Sequence, residues 1–177
     1  MKKILIVIDM QKDFIDGSLG TKEAQEIISN VINKIKKYDK KNIYATKDTH
    51  FDDKYLQTQE GINLPVKHCI KGTEGIEIYE GIKELIESKN IFEKYTFGSI
   101  DLANFMKNLY EKENGKIEVE IIGLCTDICV ITNALLLKTY IPELKISLDK
   151  TCCAGVTKEK HEAALETMKS CQINVSD

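Results

Sequence analysis

Thiol, cation and carboxylate side chains occur where the predicted strands of the chain end. Asp9 ends the first strand, Lys94 follows the third, and Cys129 comes after the fourth, near the start of a helix. Because ligands bind beyond the carboxyl ends of the strands in an open parallel sheet, we expect these groups to converge at one edge. A cysteine beside a base and a cation can act as a nucleophile in covalent catalysis.

Cys129 is the best candidate for a nucleophile among the cysteines. The chain has six of them, Cys69, Cys125, Cys129, Cys152, Cys153 and Cys171. A helix N-terminus and a nearby ammonium lower a thiol pKa from about 8.5, so Lys94 would favour the thiolate and Asp9 would accept its proton. Each residue also has a structural interpretation: a small core residue for Cys129, a turn residue for Asp9 and a surface charge for Lys94.

A second group of residues has the types and spacing of metal ligands. Asp48, His50 and His68 offer one carboxylate and two imidazoles, a set that suits zinc, iron or manganese with open coordination positions. The chain has three histidines, and two of them fall in this region. The alternative is that all three candidates are ordinary polar loop residues. The remaining histidine, His161, lies in a helical stretch, and we interpret it as structural.

Length and charge narrow the class of protein. The 177 residues predict one domain over 1–177, and the net charge of −3 gives no electrostatic reason to expect nucleic acid or a membrane as partner.

The apolar run at residues 4–8 is shorter than that of a signal peptide and ends at an acid, so we expect a cytoplasmic protein. We therefore expect free thiols, and we interpret the adjacent Cys152 and Cys153 as packing residues.

Short apolar runs alternate with segments of helical periodicity along the chain. Strands are predicted at about residues 3–9, 42–47, 90–93, 117–123, 145–149 and 173–175. Helices are predicted at about residues 22–38, 81–88, 102–115, 128–140 and 157–171, the last capped by Thr157. This alternation makes right-handed βαβ units, and hence an α/β fold in which helices cover both faces of a parallel sheet. A closed eight-stranded barrel would need about 250 residues and is excluded.

Five stretches, in this order and spread over nearly the whole chain, resemble the isochorismatase-like cysteine hydrolases and, within them, the nicotinamidases. They are Ile6-Val-Ile-Asp9-Met-Gln-Lys-Asp-Phe14, Asp48-Thr-His50, Pro65-Val-Lys-His68-Cys-Ile-Lys-Gly72-Thr, Glu93-Lys94 and Gly123-Leu-Cys125-Thr-Asp-Ile-Cys129-Val. The last stretch is the most specific, and the others gain weight from occurring together.

The resemblance implies a three-layer α-β-α sandwich with a six-stranded, mostly parallel sheet in Rossmann-like order. It also implies a catalytic triad of Asp9, Lys94 and Cys129. In this family the aspartate accepts the thiol proton, the thiolate attacks an amide carbonyl, and water then hydrolyses the thioester. The backbone N–H groups of Cys125 and Cys129 would form the oxyanion hole, next to a cis peptide bond between Leu124 and Cys125.

The resemblance further implies that Asp48, His50 and His68 hold a divalent metal ion, with zinc expected before iron or manganese. In nicotinamidases this ion and its waters anchor a pyridine nitrogen, and Phe14 matches the aromatic residue that lines the substrate pocket. The predicted function is hydrolysis of a small amide, with nicotinamide giving nicotinate and ammonia. By analogy with oligomeric relatives we expect a homo-oligomer.

Several residues depart from the nicotinamidase pattern. Leu64 stands where a tryptophan is usual, Lys67 lengthens the segment before the second metal histidine, and residues 51–55 lack a further histidine. Glu60 is the alternative fourth metal ligand. The departures leave open another small amide as substrate, such as an N-carbamoyl amide. A non-catalytic binding member of the fold and a thiol-redox protein are alternatives of other classes.

Overall fold

The apolar run at the N-terminus forms a central strand of the sheet. The computed structural model describes residues 1–176, and its first strand, β1 (Lys2–Ile8), is buried on both faces from residue 4 to residue 8. A continuous apolar run is typical of a parallel strand with helices on either side. The other strands are β2 (Ile43–Asp48), β3 (Ile91–Lys94), β4 (Ile117–Leu124), β5 (Lys145–Ala154) and β6 (Asn174–Ser176).

The six strands are all parallel and lie in the order β3-β2-β1-β4-β5-β6. The order reverses at the neighbouring strands β1 and β4, which pair from Lys2 with Ile117 to Ile8 with Gly123. A crevice opens beyond the carboxyl ends of the strands at such a switch point, and ligands bind there. The predicted α/β fold with a Rossmann-like order of strands is therefore confirmed.

Helices cover both faces of this sheet. They are α1 (Lys12–Ile15), α2 (Lys22–Glu26), α3 (Ile28–Ile35), α4 (Gln59–Asn63), α5 (Ile100–Lys112), α6 (Ile131–Tyr140) and α7 (Lys158–Ser170). Helix α6 packs between α5 and α7 on one face, and the right-handed crossovers put α2 and α3 on the other. Within residues 1–176, no helix combines the length and the apolar character needed to cross a membrane.

Hydroxyl side chains begin four of the helices. Thr21, Thr58, Ser99 and Thr157 each accept a hydrogen bond from the backbone N–H three residues further on. Such a cap satisfies one of the amides that the first turn leaves without a partner. The predicted cap of the last helix, Thr157, is confirmed.

The helix predicted at residues 22–38 is divided and shorter in the structure. Ile27 separates α2 from α3, because its amide contacts the carbonyl of Gln25 instead of continuing the regular ladder of bonds four residues apart. Helix α3 ends at Ile35, and the following polar residues leave the helix. The apolar stripe continues through the break, which is why periodicity alone predicts one helix.

The helix predicted at residues 81–88 is wrong. The segment forms two short 3-10 turns, Lys83–Leu85 and Ser88–Asn90. Between them Ile86 is extended, with φ −113° and ψ 136°. Ile82 and Ile86 have the spacing of one helix face, but both are buried anchors of an irregular segment. Tertiary packing has overridden the local pattern here.

Strand β5 is longer than predicted and carries two of the cysteines. It continues beyond residue 149 because its pairing with β4 resumes after a register shift, with Gly123 opposite Cys153. Cys152 and Cys153 are buried, and all six cysteines are free thiols, as predicted. Helices α1 and α4 were not predicted, because one turn is too short to show a periodicity.

A truncation in the central strand tests the packing of the core. Ile6 is fully buried in β1. We expect Ile6→Ala to lower the free energy of unfolding by about 2–5 kcal/mol, because it leaves a cavity, and Ile6→Val by only about 0.5–1.5 kcal/mol. Urea denaturation of both variants gives the two values, and equal losses would contradict a close-packed site.

Candidate active site and metal cluster

Three neighbouring strand ends bring Asp9, Asp48 and Lys94 together. Asp48 and Lys94 are the last residues of β2 and β3 and are register partners in the ladder. Asp9 directly follows β1, in the left-handed backbone region with φ 45°. The carboxyl edge of the sheet therefore collects the charged groups that the sequence places at strand ends.

The ammonium of Lys94 is the centre of a buried charge cluster. Its Nζ lies 2.8 Å from Asp9 Oδ2 and 3.0 Å from Asp48 Oδ1. It also donates a hydrogen bond to Cys129 Sγ at 3.5 Å. Lys94 is only 3% exposed, so its interpretation as a surface charge is wrong. An ammonium without water is stable only when such partners replace its hydration.

Burial changes the acid–base properties of this cluster. Burial raises the pKa of Asp9, although the charge of Lys94 opposes the change. Burial and then the charge of Asp9 raise the pKa of the Cys129 thiol well above its ordinary value, again against Lys94. The lowered thiol pKa expected from the sequence is therefore wrong, because one ammonium does not offset the loss of water around a buried sulfur. The raised pKa favours the protonated thiol, and the raised pKa of Asp9 makes the neighbouring carboxyl group a better proton acceptor than an exposed aspartate.

Thr46 holds the Asp9 carboxylate in place. Its hydroxyl donates to Asp9 Oδ1 at 2.7 Å and accepts the backbone N–H of Asp9 at 3.2 Å. Thr46 was not predicted as a site residue, although alternation along a strand offers a signal for it. Thr46 lies two residues before Asp48 in β2, so both side chains point to the same face of the sheet.

A turn of π-helix places Cys129 against the charge cluster around Lys94. The turn, Thr126–Val130, follows the cis peptide bond between Leu124 and Cys125 that the resemblance implies. The regular helix α6 then begins three residues later than predicted. Asn133, fully buried in α6, donates to the carbonyl of Cys129 at 2.8 Å. Single π-helical turns occur frequently at functional sites.

The π-helical turn is tied to the start of α7. Thr126 Oγ1 and His161 Nδ1 are hydrogen-bonded at 2.8 Å, and Asp127 Oδ1 accepts the backbone N–H of Val156 at 2.9 Å. A Cβ on Gly155 would lie 2.9 Å from His161 and from Asp127, so only glycine lets these segments approach so closely. His161 thus has a structural place beside the site.

Four side chains next to the charge cluster around Lys94 can hold a metal ion, and we call them the metal cluster. One ligand atom each from Asp48, His50, Glu60 and His68 lies within 4.8 Å of the others. His50 Nε2 is 3.0 Å from Asp48 Oδ2, and His68 Nε2 is 3.5 Å from Glu60 Oε1. Helix α4 carries Glu60 to this position, although the loop is long and polar in the sequence.

The hydrogen bonds around the cluster fit metal binding. His68 Nδ1 donates to the carbonyl of Val66 at 2.9 Å, which leaves the Nε2 lone pair directed at the other candidate ligands. Metal-bound histidines in proteins are usually oriented by such a bond from the second ring nitrogen. Two imidazoles and two carboxylates are a donor set for a divalent ion such as zinc.

Asp48 belongs to both groups of residues. Its Oδ1 contacts Lys94, while its Oδ2 faces His50. The hydrogen bond from His50 and the charge of Lys94 outweigh burial and lower the pKa of Asp48. The carboxylate is therefore ionised and shared between the metal cluster and the charge cluster around Cys129.

A small cavity of about 160 Å³ lies between the two groups. Cys125 and Cys129 line it, and so do Asp48, Glu60 and His68. Its remaining wall is mostly apolar, formed by Phe14, Leu19, Ala24, Leu64, Phe97, Leu124, Ile128 and Val156. Phe14 packs against His68, with the ring centroids 5.5 Å apart. The cavity suits a small flat molecule with one polar end near the thiol and another near the metal cluster.

The fold and this site define a hydrolase of the isochorismatase family. The chain belongs to that family, because the model of the Isochorismatase domain matches residues 3–177. The resemblance drawn from the motifs is therefore confirmed.

Relatives within the family match along their whole lengths. A nicotinamidase of Saccharomyces cerevisiae is 29% identical over 99% of this chain and 99% of its own. The crystal structure of a nicotinamidase from Bacillus subtilis is 29% identical and covers both chains completely, with a TM-score of 0.80. A pyrazinamidase of Pyrococcus horikoshii, crystallised in complex with zinc, is 27% identical over 100% of this chain and 99% of its own, with a TM-score of 0.78.

The pH dependence of metal binding tests the cluster. Burial by itself would lower the pKa of His68, but hydrogen bonds to Glu60 and the Val66 carbonyl, with the charge of Asp48, raise it above its ordinary 6.5. Protons and metal compete for the same lone pair, so the affinity for Zn²⁺ should fall as the pH drops through this pKa, by up to about tenfold per pH unit for each competing proton. Competition with a chelator gives the affinity, and a constant value from about pH 8 to about pH 5.5 would contradict this ligand assignment.

Proposed function

We propose that this protein hydrolyses a small ring carboxamide through a cysteine thioester, with nicotinamide as the first substrate to test. The observation that carries the proposal is the position of Lys94, which contacts Asp9 and Cys129 beside a cavity that Cys129 and three residues of the metal cluster line together. That the protein is an amide-hydrolysing enzyme of the isochorismatase family is confirmed by the family match and by relatives named as nicotinamidases.

Asp9 is the proton acceptor in this mechanism. As Cys129 Sγ attacks the amide carbonyl, its proton passes to Asp9, whose raised pKa makes it a stronger base than an exposed aspartate. The C–N bond then breaks, and Asp9 returns the proton to the leaving nitrogen, so that ammonia departs and a thioester remains. Water, deprotonated by Asp9, hydrolyses the thioester to the carboxylic acid and restores the thiol.

Lys94 supplies the positive charge that this proton movement needs. Its ammonium contacts both Asp9 and the sulfur, so it stabilises the carboxylate before the proton moves and the thiolate during attack. Burial alone would lower the pKa of Lys94, but its contacts with Asp9, Cys129 and Asp48 raise that pKa above its ordinary value. The ammonium therefore stays protonated throughout the reaction. Its role is electrostatic, and it transfers no proton.

The π-helical turn, together with Cys125 just before it, provides the oxyanion site in this proposal. The backbone N–H groups of Cys125 and Cys129 are assigned to the carbonyl oxygen as it becomes negative. Both residues line the cavity, and the hydrogen bond from Asn133 to the Cys129 carbonyl fixes the turn. Fixed donors need no rearrangement when charge develops, which is the source of their catalytic effect.

The metal cluster orients the substrate. Asp48, His50 and His68 would hold a divalent ion, and Glu60 is the fourth ligand available beside them. A bound ion supplies a Lewis-acid anchor for the ring nitrogen of the substrate. Phe14 and the apolar wall contact the flat ring and exclude water from the carbonyl. Zinc is the first ion to test, before iron or manganese.

Replacing the nucleophile tests the covalent mechanism. We expect Cys129→Ala to reduce ammonia release from nicotinamide to background while its circular dichroism spectrum stays that of the parent, because it removes the thiol that contacts Lys94 and forms the thioester. The matched control is Cys171→Ala, since Cys171 is a free thiol at the end of α7, away from the cavity. Parent-like turnover by Cys129→Ala would overturn the mechanism.

Removal of metal tests how the substrate is held. We expect treatment with a chelator to raise KM for nicotinamide by about tenfold or more, equivalent to at least about 1.4 kcal/mol, because the ring nitrogen loses its anchor. Restoring Zn²⁺ should restore KM. Steady-state kinetics on metal-free and reloaded protein measure the effect. Unchanged kinetics with nicotinamide after complete metal removal would contradict the role of the ion as anchor for the ring nitrogen.

A further inference from the structure

The side chain of Gln11 extends the sheet at the site. Its Nε2 donates to the carbonyl of Asp48 at 2.8 Å, and its Oε1 accepts the backbone N–H of Asp48 at 2.7 Å. Both backbone groups of one residue are thus bonded to a single carboxamide. Gln11 is fully buried, so no water competes for these bonds.

The end of β1 explains why a side chain is needed there. Strand β1 stops at Ile8, and its register with β2 ends where Val7 lies opposite Ala45. The backbone of Asp48, further along β2, therefore has no β1 partner, although it pairs with Lys94 of β3 on its other side. A carboxamide has the donor and acceptor of a peptide group, so Gln11 takes the place of the missing strand.

Gln11 also contacts the loop that contains Ile76 and Ile78. The second proton of its Nε2 is donated to the carbonyl of Ile76 at 2.9 Å, and its backbone forms a bridge with Ile78. The carboxamide therefore uses both of its protons and its oxygen. Any replacement that keeps the size but loses a donor leaves a buried carbonyl without a partner, which is costly.

Asp13 holds a second backbone segment of the site. Its Oδ2 accepts the backbone N–H of Cys69 at 2.7 Å, and Oδ1 accepts that of Ser18 at 3.3 Å. The Cys69 amide belongs to the peptide that joins it to His68, and Cys69 has the unfavourable φ of 47°. A Cβ on Gly75 would overlap the Asp13 carboxylate, so this loop closes tightly over it.

Asp48 and His68 are distant in sequence, and the short segment around α1 contacts the backbone of both. The resemblance includes Gln11 and Asp13 in its first stretch without giving them a role. We propose that Gln11 and Asp13 are positioning residues, which fix the backbone on either side of the metal cluster and thereby set its affinity for a divalent ion. This inference rests on the metal site of the proposed function.

Zn²⁺ affinity of the folded protein is the measurement that tests the inference. We expect Gln11→Glu, which keeps the shape and loses at least one of the two donors, and Asp13→Ala, which loses both acceptors, each to weaken Zn²⁺ binding by about 10- to 100-fold. Asp13→Asn should lose less Zn²⁺ affinity than Asp13→Ala, because its side-chain oxygen can still accept a hydrogen bond from the Cys69 backbone N–H. Asp16→Asn is the matched control, an exposed acid just after α1, and should bind as the parent does.

Chelator competition gives the affinities, and urea denaturation of the same samples separates a metal effect from lost stability. Residues with a merely structural role would lower stability and leave the affinity of the folded fraction unchanged, and that result would overturn the inference while the metal site stands. If the parent itself fails to bind Zn²⁺, the metal site and the inference fall together. If Asp13→Ala does not fold, Gln11→Glu and Asp13→Asn decide the question.

Discussion

The site depends on one buried ammonium. Lys94 lies at the end of a short strand, 3% exposed, and two carboxylates and a thiol replace the water that it gives up. Removing one partner of a buried ion pair typically costs about 3–5 kcal/mol, because the remaining charge is left without solvent. The positions of Asp9 and Asp48 are therefore constrained by the stability of the fold as well as by chemistry.

Asp48 extends this constraint to the metal cluster. One oxygen faces Lys94 and the other faces His50, so the two groups of residues cannot move independently. A sheet is a suitable support for such an arrangement, since adjacent strand ends are fixed by ladders of hydrogen bonds. Where β1 stops short of Asp48, the Gln11 carboxamide continues that pattern. The site thus lies on rigid elements, and its cavity opens at the switch point of the sheet.

Much of this arrangement could be predicted from single residues. Short apolar runs that end near Asp9, Asp48 and Lys94 predict parallel strands whose charged ends converge. Other features depend on distant contacts that leave no local signal. Glu60 reaches the metal cluster only because a one-turn helix, capped by Thr58, forms in a long polar loop. In the same way, an isoleucine spacing that predicts a helix at residues 81–88 belongs to buried anchors of an irregular segment.

The sequence by itself determined the fold class, the order of the motifs and the identity of the charged groups, because strand and helix periods are local properties of the chain. The protonation of those groups was decided only by the tertiary structure. The sequence places Cys129 near a helix start and a lysine, which favours a thiolate, yet burial beside Asp9 raises the pKa of the thiol instead. Desolvation depends on what surrounds a side chain in three dimensions, and no spacing along the chain encodes how much water remains.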